Sequence, residues 1–283
     1  MTEKKVISTV EYFTFFKYPP NFEEIYTFMP QKLSKRELQS KLNSLITNSK
    51  IFYNSELKRY TPTQYQKISK TYNRRVRNTQ EKLEKVSNFI KFVSRLPQVK
   101  LLGFSGSIAM RNAQSSDDID FFVITSKKRL WTARFMTLVL ASLLGKRRKR
   151  GERHANDKIC LNLLFEETAL AVPEFKRTAF VAHEVLQMKP MIVRSNIYKR
   201  FIEANKWVFK LFPNAPSSSR SIHKFSKEKT SHLVDATLFG DVVELLLKKL
   251  QLFLINRHKT SELITDKQLW FFPDDFEEKL KKV

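Results

Sequence analysis

Residues 101–125, LLGFSGSIAMRNAQSSDDIDFFVIT, place a Gly-Ser turn after one apolar run and an Asp-Ile-Asp triplet at the head of the next. Both runs read as strands. Side chains two apart on a strand share a face, so Asp118 and Asp120 stand together. Apolar neighbours on both sides make that pairing costly through repulsion and desolvation, a cost that a bound cation relieves. Mg²⁺ is the simplest such cation, because it takes hard oxygen ligands and shares its shell with phosphates. The Gly106-Ser107 turn leads into a short helical segment, Ser107 to Arg111, whose free N–H groups form an anion site nearby. A carboxylate-held metal beside a phosphate cradle is the apparatus of phosphoryl or nucleotidyl transfer.

These residues resemble the signature of the nucleotidyltransferase superfamily of DNA polymerase beta: an apolar residue, Gly, Gly or Ser, a spacer, then Asp, apolar, Asp or Glu, apolar. Gly106, Ser107, Asp118, Ile119, Asp120 and Phe121 fall onto it in order. Gly106 to Val123 also follows the common bacterial form, GSxARGxAxxxSDIDLLV, with Ala113 and the acidic pair in register. The resemblance implies an α+β fold around a small mixed β-sheet nucleotidyltransferase core. It implies Mg²⁺ (or Mn²⁺) held by Asp118 and Asp120, with a nucleoside triphosphate received at Gly106 and Ser107. A nucleoside monophosphate would then pass to an acceptor.

The resemblance further demands a third acid, on a strand after an intervening helix. The chain supplies the helix, Leu130 to Leu144, a basic loop, and the strand Lys158 to Phe165, KICLNLLF, with Asn162 in the third-acid place. Losing one negative charge about 4 Å from a metal weakens binding by roughly 4 kcal/mol per unit of cation charge at an effective dielectric of about 20. Either activity is reduced or another acid substitutes. Glu166 shares the strand face by alternation but lies about 13 Å farther along, and serves only if the strand bulges.

Before this core the chain reads as a small helical unit ending in a hairpin (1–63). Val6, Val10, Phe13 and Phe16 mark a first helix, Asn21 caps a second, and Ser34 with Glu37 forms a capping box for a third. Three helices and a two-stranded wing resemble a winged helix, in which Lys35, Arg36, Gln39 and Asn43 face a nucleic-acid groove and Lys58 and Arg59 extend from the wing; such units also serve as protein-docking modules. A connector helix is expected over 64–97, the core over 98–172 and a helical C-terminal domain over 173–283. Arg129 or Arg134, on the helix after the acid pair, is placed to reach a triphosphate. His183-Glu184 reads as packing and surface, and Cys160 as a buried, inert thiol.

The balance of 52 Lys+Arg against 28 Asp+Glu gives a formal charge of +24, a field that concentrates polyanions. Nucleic acid is therefore the expected partner, beside the alternative of a Lys-rich, Gly-poor composition spread along the chain. The densest cluster, Lys146, Arg147, Arg148, Lys149 and Arg150, sits in the loop before the third strand and is the candidate nucleic-acid contact. The longest apolar run, Phe135 to Leu144, is about half the length of a membrane span, so no membrane partner is expected. No small-residue cleavage site follows the first apolar segment, and no signal peptide is expected. One cysteine fits a reducing cytoplasm. Two functions follow as expectations: a metal-dependent nucleotidyltransferase, or a catalytically weak relative that binds nucleic acid or nucleotide as a regulator.

Overall fold

The computed structural model describes residues 2–148, 155–216, 238–257 and 262–271, and shows an α+β protein with a six-stranded mixed sheet and a separate hairpin. Helices α1 (Thr2–Phe15), α2 (Phe22–Thr27) and α3 (Lys35–Thr47) precede the hairpin β1 (Ile51–Asn54) and β2 (Arg59–Pro62). Both caps anticipated from sequence form as reciprocal boxes: Asn21 with Glu24, and Ser34 with Glu37. Val6, Val10, Ile25, Leu38, Leu42 and Ile51 close a core of their own. Asn54 Oδ1 accepts from Leu57 N–H and fixes the hairpin turn. Arg59 is corrected from a wing contact to an internal strut. Its guanidinium donates to Glu24 at 2.7 Å and to the Tyr18 hydroxyl at 2.9 Å, and lies over the Tyr72 ring.

The expected single connector helix is broken. Residues 63–68 form a 3₁₀ turn, and α4 (Ser69–Lys85) is separated from α5 (Ser87–Val93) at Val86, whose φ of −99° and ψ of 2° leave the helical region. The break lets the two helices bury different faces. From α5, Phe89, Ile90 and Val93 enter the apolar core. The buried face of α4 is polar instead: Arg75, Thr79 and Lys82.

The main sheet is ordered β6-β3-β4-β5-β8-β7. Its centre is β3 (Val99–Phe104), β4 (Ile119–Thr125) and β5 (Ile159–Glu166), with β3 antiparallel and β5 parallel to β4. Short α6 (Gly106–Ala109) joins β3 to the spacer before β4, and α7 (Leu130–Leu143) makes the crossover from β4 to β5. These strands read as unbroken apolar runs because both faces are covered. Leu102, Phe121 and Val123 pack with α5 and α7 on one side, and Leu101, Phe122 and Ile124 pack on the other.

The chain after residue 172 is not wholly helical. Among α8 (Ala179–Gln187), α9 (Ile197–Ala204), α10 (Val208–Leu211) and α11 (Leu238–Asn256), three short strands return to the sheet: β6 (Lys189–Val193), β7 (Leu263–Ile264) and β8 (Gln268–Trp270). β6 occupies an edge, where Pro190 costs no central ladder hydrogen bond. Among the described residues, no helix is long and apolar enough to cross a membrane.

Candidate functional site

The topology brings the end of β3 and the starts of β4 and β5 to one edge of the sheet. Ser105 N–H donates to the Asp120 carbonyl at 3.0 Å, tying the turn to the acidic strand. Gly106 then adopts a φ of +57°, and a Cβ there would lie 2.9 Å from Asp120 Oδ2. Only glycine meets both demands, so the Gly-Ser turn abuts the carboxylate directly. Ser107 follows on α6, which is a single turn.

Carboxylate oxygens of Asp118 and Asp120 and the Cys160 thiol lie within 4.8 Å of one another. Asp120 pairs with Cys160 across the parallel ladder, and Phe121 with Leu161, but Phe122 pairs with Leu163. Asn162 is therefore the extra residue of a β-bulge. Its carbonyl accepts from Phe271 N–H at 2.9 Å, and its Oδ1 accepts from the Cys160 thiol at 3.2 Å. Cys160 converges on the acid pair, and the Asn162 amide stands beside it, bonded to the thiol. The bulge does not recruit Glu166, which lies at the far end of the sheet opposite Thr125 and accepts from Lys128 N–H at 2.9 Å.

Electrostatics at the site favour a cation. Burial raises the pKa of Asp118, opposed chiefly by Arg148, whose guanidinium forms an ion pair with Asp118 Oδ2. Asp120 is pushed well above the usual carboxylate range by burial, then by the charges of Asp118 and Glu184. No hydrogen bond or ion pair reaches its side chain among the described residues. Burial, helped by both aspartates, also keeps the Cys160 thiol protonated. Two half-buried, mutually repelling carboxylates, one of them unpartnered among the described residues, form a donor set that fits a divalent cation.

Glu184, on α8, also reaches the turn. It accepts from Gly106 N–H at 3.3 Å, and burial raises its pKa to about 7. The turn expected to receive an anion thus already holds a carboxylate. No local pattern on α8 announces this, since the approach depends on the packing beside β3. Cys160 had a legible signal, two residues before Asn162 on the same strand face. His183, next to Glu184 in the chain, is structural: the ring is stacked between Tyr12 at 3.8 Å and Phe28 at 4.0 Å, and burial holds it neutral.

The remaining candidates divide. Lys146 and Arg147 begin the basic loop and extend the β5 ladder, with Ile159 N–H donating to the Lys146 carbonyl at 2.7 Å. Arg147 is exposed, whereas Arg148 turns toward Asp118. Lys149 and Arg150 lie outside the described residues. Arg129 and Arg134 are turned to α11, donating to Asp241 at 2.8 Å and Gln251 at 2.6 Å, respectively.

The acid pair is held from behind by α4. Arg75 Nη1 donates to Asn112 Oδ1 at 3.2 Å and Thr79 Oγ1 accepts from Ala113 N–H at 3.1 Å. Lys82 Nζ donates to the Ser115 and Asp117 carbonyls at 3.0 and 2.6 Å and to Asp157 at 2.8 Å. Lys82→Ala is expected to cost about 3 kcal/mol in urea unfolding, because two part-buried carbonyls and a carboxylate lose the buried donor they share. A loss below about 1 kcal/mol would show that the clamp contributes little. Comparison of the chain with protein-family models, curated proteins and solved structures returns no match.

Proposed function

We propose that the protein is a divalent-metal-dependent nucleotidyltransferase that moves a nucleoside monophosphate from a nucleoside triphosphate to an acceptor, with nucleic acid as the favoured acceptor. The reading is carried by one observation: Asp120, paired with Asp118 within 4.8 Å, abuts the Gly106 turn with no room for a side chain between them. Asp118 and Asp120 would hold Mg²⁺ or Mn²⁺, and Gly106 and Ser107 would meet the phosphates once Glu184 gives up the Gly106 N–H. The metal supplies Lewis-acid neutralisation of the charge on the transferring phosphoryl group. The Cys160 thiol, kept protonated, would stand beside the ion as a neutral neighbour, leaving the carboxylate oxygens as the donors that suit Mg²⁺ or Mn²⁺. Arg148 already sits against the acid pair and is placed to shift onto phosphate once a metal takes Asp118. The exposed Arg147, the face of α3 that carries Arg36 and Gln39, and the +24 charge support a polyanionic acceptor. The unpaired cysteine suits a cytoplasmic setting.

A second reading, a nucleotide- or nucleic-acid-binding regulator that has lost transfer, is favoured by a different observation. The third strand offers Cys160 and Asn162 where a carboxylate is demanded.

Incubation with each labelled triphosphate, Mg²⁺ or Mn²⁺, and pooled RNA and DNA separates the two readings by incorporation. Calorimetry tests the site itself. Metal is expected to bind weakly alone and far better with nucleotide, because the triphosphate supplies the missing anionic ligand. Asp118→Ala/Asp120→Ala should abolish that coupling. Equal metal-dependent nucleotide affinity in the double variant would remove the proposed site.

A further inference from the structure

Helix α11 is mounted inside out. The side facing the molecule is largely polar: Asp241 pairs with Lys128 and Arg129 at 2.9 and 2.8 Å, and Glu244 accepts from Trp131 N–H and Thr132 N–H, both at 2.8 Å, capping the start of α7. Gln251 donates to the Trp131 carbonyl at 2.9 Å, and Leu247, Leu252 and Ile255 complete the contact. The opposite side is apolar and faces solvent. Phe239, Val242, Leu246, Leu250 and Phe253 recur at three- and four-residue spacing on one stripe, with Phe239 78% and Phe253 60% exposed. Beside it, α7 turns out Met136, Val139 and Leu143, the last 78% exposed.

At about 200 Å² for each fully exposed large apolar residue, the two stripes with the flanking Leu245 and Leu254 offer roughly 1,000 Å² of apolar surface. A typical monomer's largest apolar patch is about 300–600 Å². A stable protein interface takes about 800 Å² from each partner. We infer that this face is the interface of a homodimer, in which α7 and α11 of one copy pack against α7 and α11 of a second around a two-fold axis.

Self-association fits the chemistry of the face better than other occupants do. The stripe on α11 carries one charged residue, Lys249, with Arg257 over the Phe253 ring at its end. Two cations are few for a nucleic-acid or anionic-membrane contact, and the stripe holds no acid to attract a basic protein. A mainly apolar stripe is complementary to itself under a two-fold operation. The rest of the chain is a poor cover by composition. Residues 217–237 hold only Ile222, Phe225, Leu233 and Val234 as large aliphatic or aromatic side chains, and residues 272–283 scatter theirs among acids and lysines. Two copies each bearing +24 repel at low ionic strength, and salt screens that repulsion over a Debye length of about 8 Å under physiological conditions. The dimer should therefore tighten with salt, opposite to any contact with a polyanion.

Sedimentation equilibrium of the full chain at low and high salt tests this, beside the variant Leu246→Glu/Phe253→Glu. Both positions are exposed, so circular dichroism and unfolding temperature should stay at wild-type values. The wild type is expected to be dimeric with an affinity that rises with salt, and the variant to dissociate at least about 100-fold more readily because it would bury unpaired charge. A wild type that stays monomeric at high concentration and high salt overturns the inference, as does a variant that dimerises equally well. Capture of the wild-type monomer by anionic phospholipid vesicles, lost in the variant and weakened by salt, assigns the face to a membrane instead.

Discussion

Asp120→Asn is expected to lower metal-dependent nucleotide incorporation by at least about 1,000-fold while making the metal-free fold more stable by about 1–3 kcal/mol. Both effects come from one fact. The Asp120 carboxylate is half-buried, faces the charges of Asp118 and Glu184, and has no hydrogen-bond or ion-pair partner among the described residues. An amide of the same shape removes the repulsion and the metal ligand together, the usual opposition between stability and function at a site. The pH dependence follows from the direction of the shift. The folded-state pKa of Asp120 is raised above the ordinary value of 3.8, so its contribution is favourable at low pH and is lost as pH rises through the folded value. The stability advantage of the Asp120→Asn variant should thus grow as pH rises above the ordinary carboxylate value and vanish toward pH 4 and below.

Glu184 adds a second window. With an ordinary value of 4.5 and a folded value of about 7, it removes stability progressively between those limits. Denaturant unfolding in EDTA at several pH values measures both effects. Added Mn²⁺ should invert the ranking, since the wild type alone gains a ligand set. An Asp120→Asn variant no more stable than wild type at pH 8 in EDTA would mean that the carboxylate is already compensated.

The centre of the sheet was legible because its strands are buried on both faces. β3 forms from the apolar run before the Gly-Ser turn and α7 matches its expected bounds to within one residue, and the caps Asn21 and Ser34 carry their own signal. The Gly106 turn and the acid pair were legible for the same reason: a positive φ and a charge in an apolar strand both restrict residue choice severely. What escaped was decided by tertiary contact. β6 and β8 are short, and they exist as strands only by pairing with β3 and β5. The buried face of α4 escaped because Arg75, Thr79 and Lys82 recur at helical spacing but are polar, and apolar periodicity passes over them. α11 shows the converse. Its periodicity is legible, yet the side that faces the molecule is the polar one. Glu184 belongs to the same class, a charged side chain made internal by packing remote in sequence.

The bulge at Asn162 decides where a third carboxylate belongs. Had the β4–β5 ladder stayed regular, position 162 would stand opposite Phe122; the bulge leaves it unpaired, with Cys160 in register with Asp120. The Cys160 thiol lies within 4.8 Å of both carboxylates, and Asn162 Oδ1 accepts from that thiol at 3.2 Å. Coulomb energy falls as the inverse of distance, and at about 4 Å and an effective dielectric of about 20 a full charge is worth roughly 4 kcal/mol per unit of cation charge. Cys160→Asp is therefore expected to raise Mn²⁺ affinity at least about tenfold, and to destabilise the metal-free protein by adding a third like charge. Asn162→Asp should have the smaller effect on both, because its carboxylate still accepts from the Cys160 thiol and is partly neutralised by that bond. Thermal shifts with and without Mn²⁺, read beside nucleotide incorporation, separate the cases. A larger metal response in Asn162→Asp would return the third-acid role to position 162 and show that the strand straightens around the ion. If Cys160→Asp gains metal affinity but no preparation incorporates nucleotide, the binding reading displaces the enzymatic one, because a site with all three carboxylates would still lack transfer.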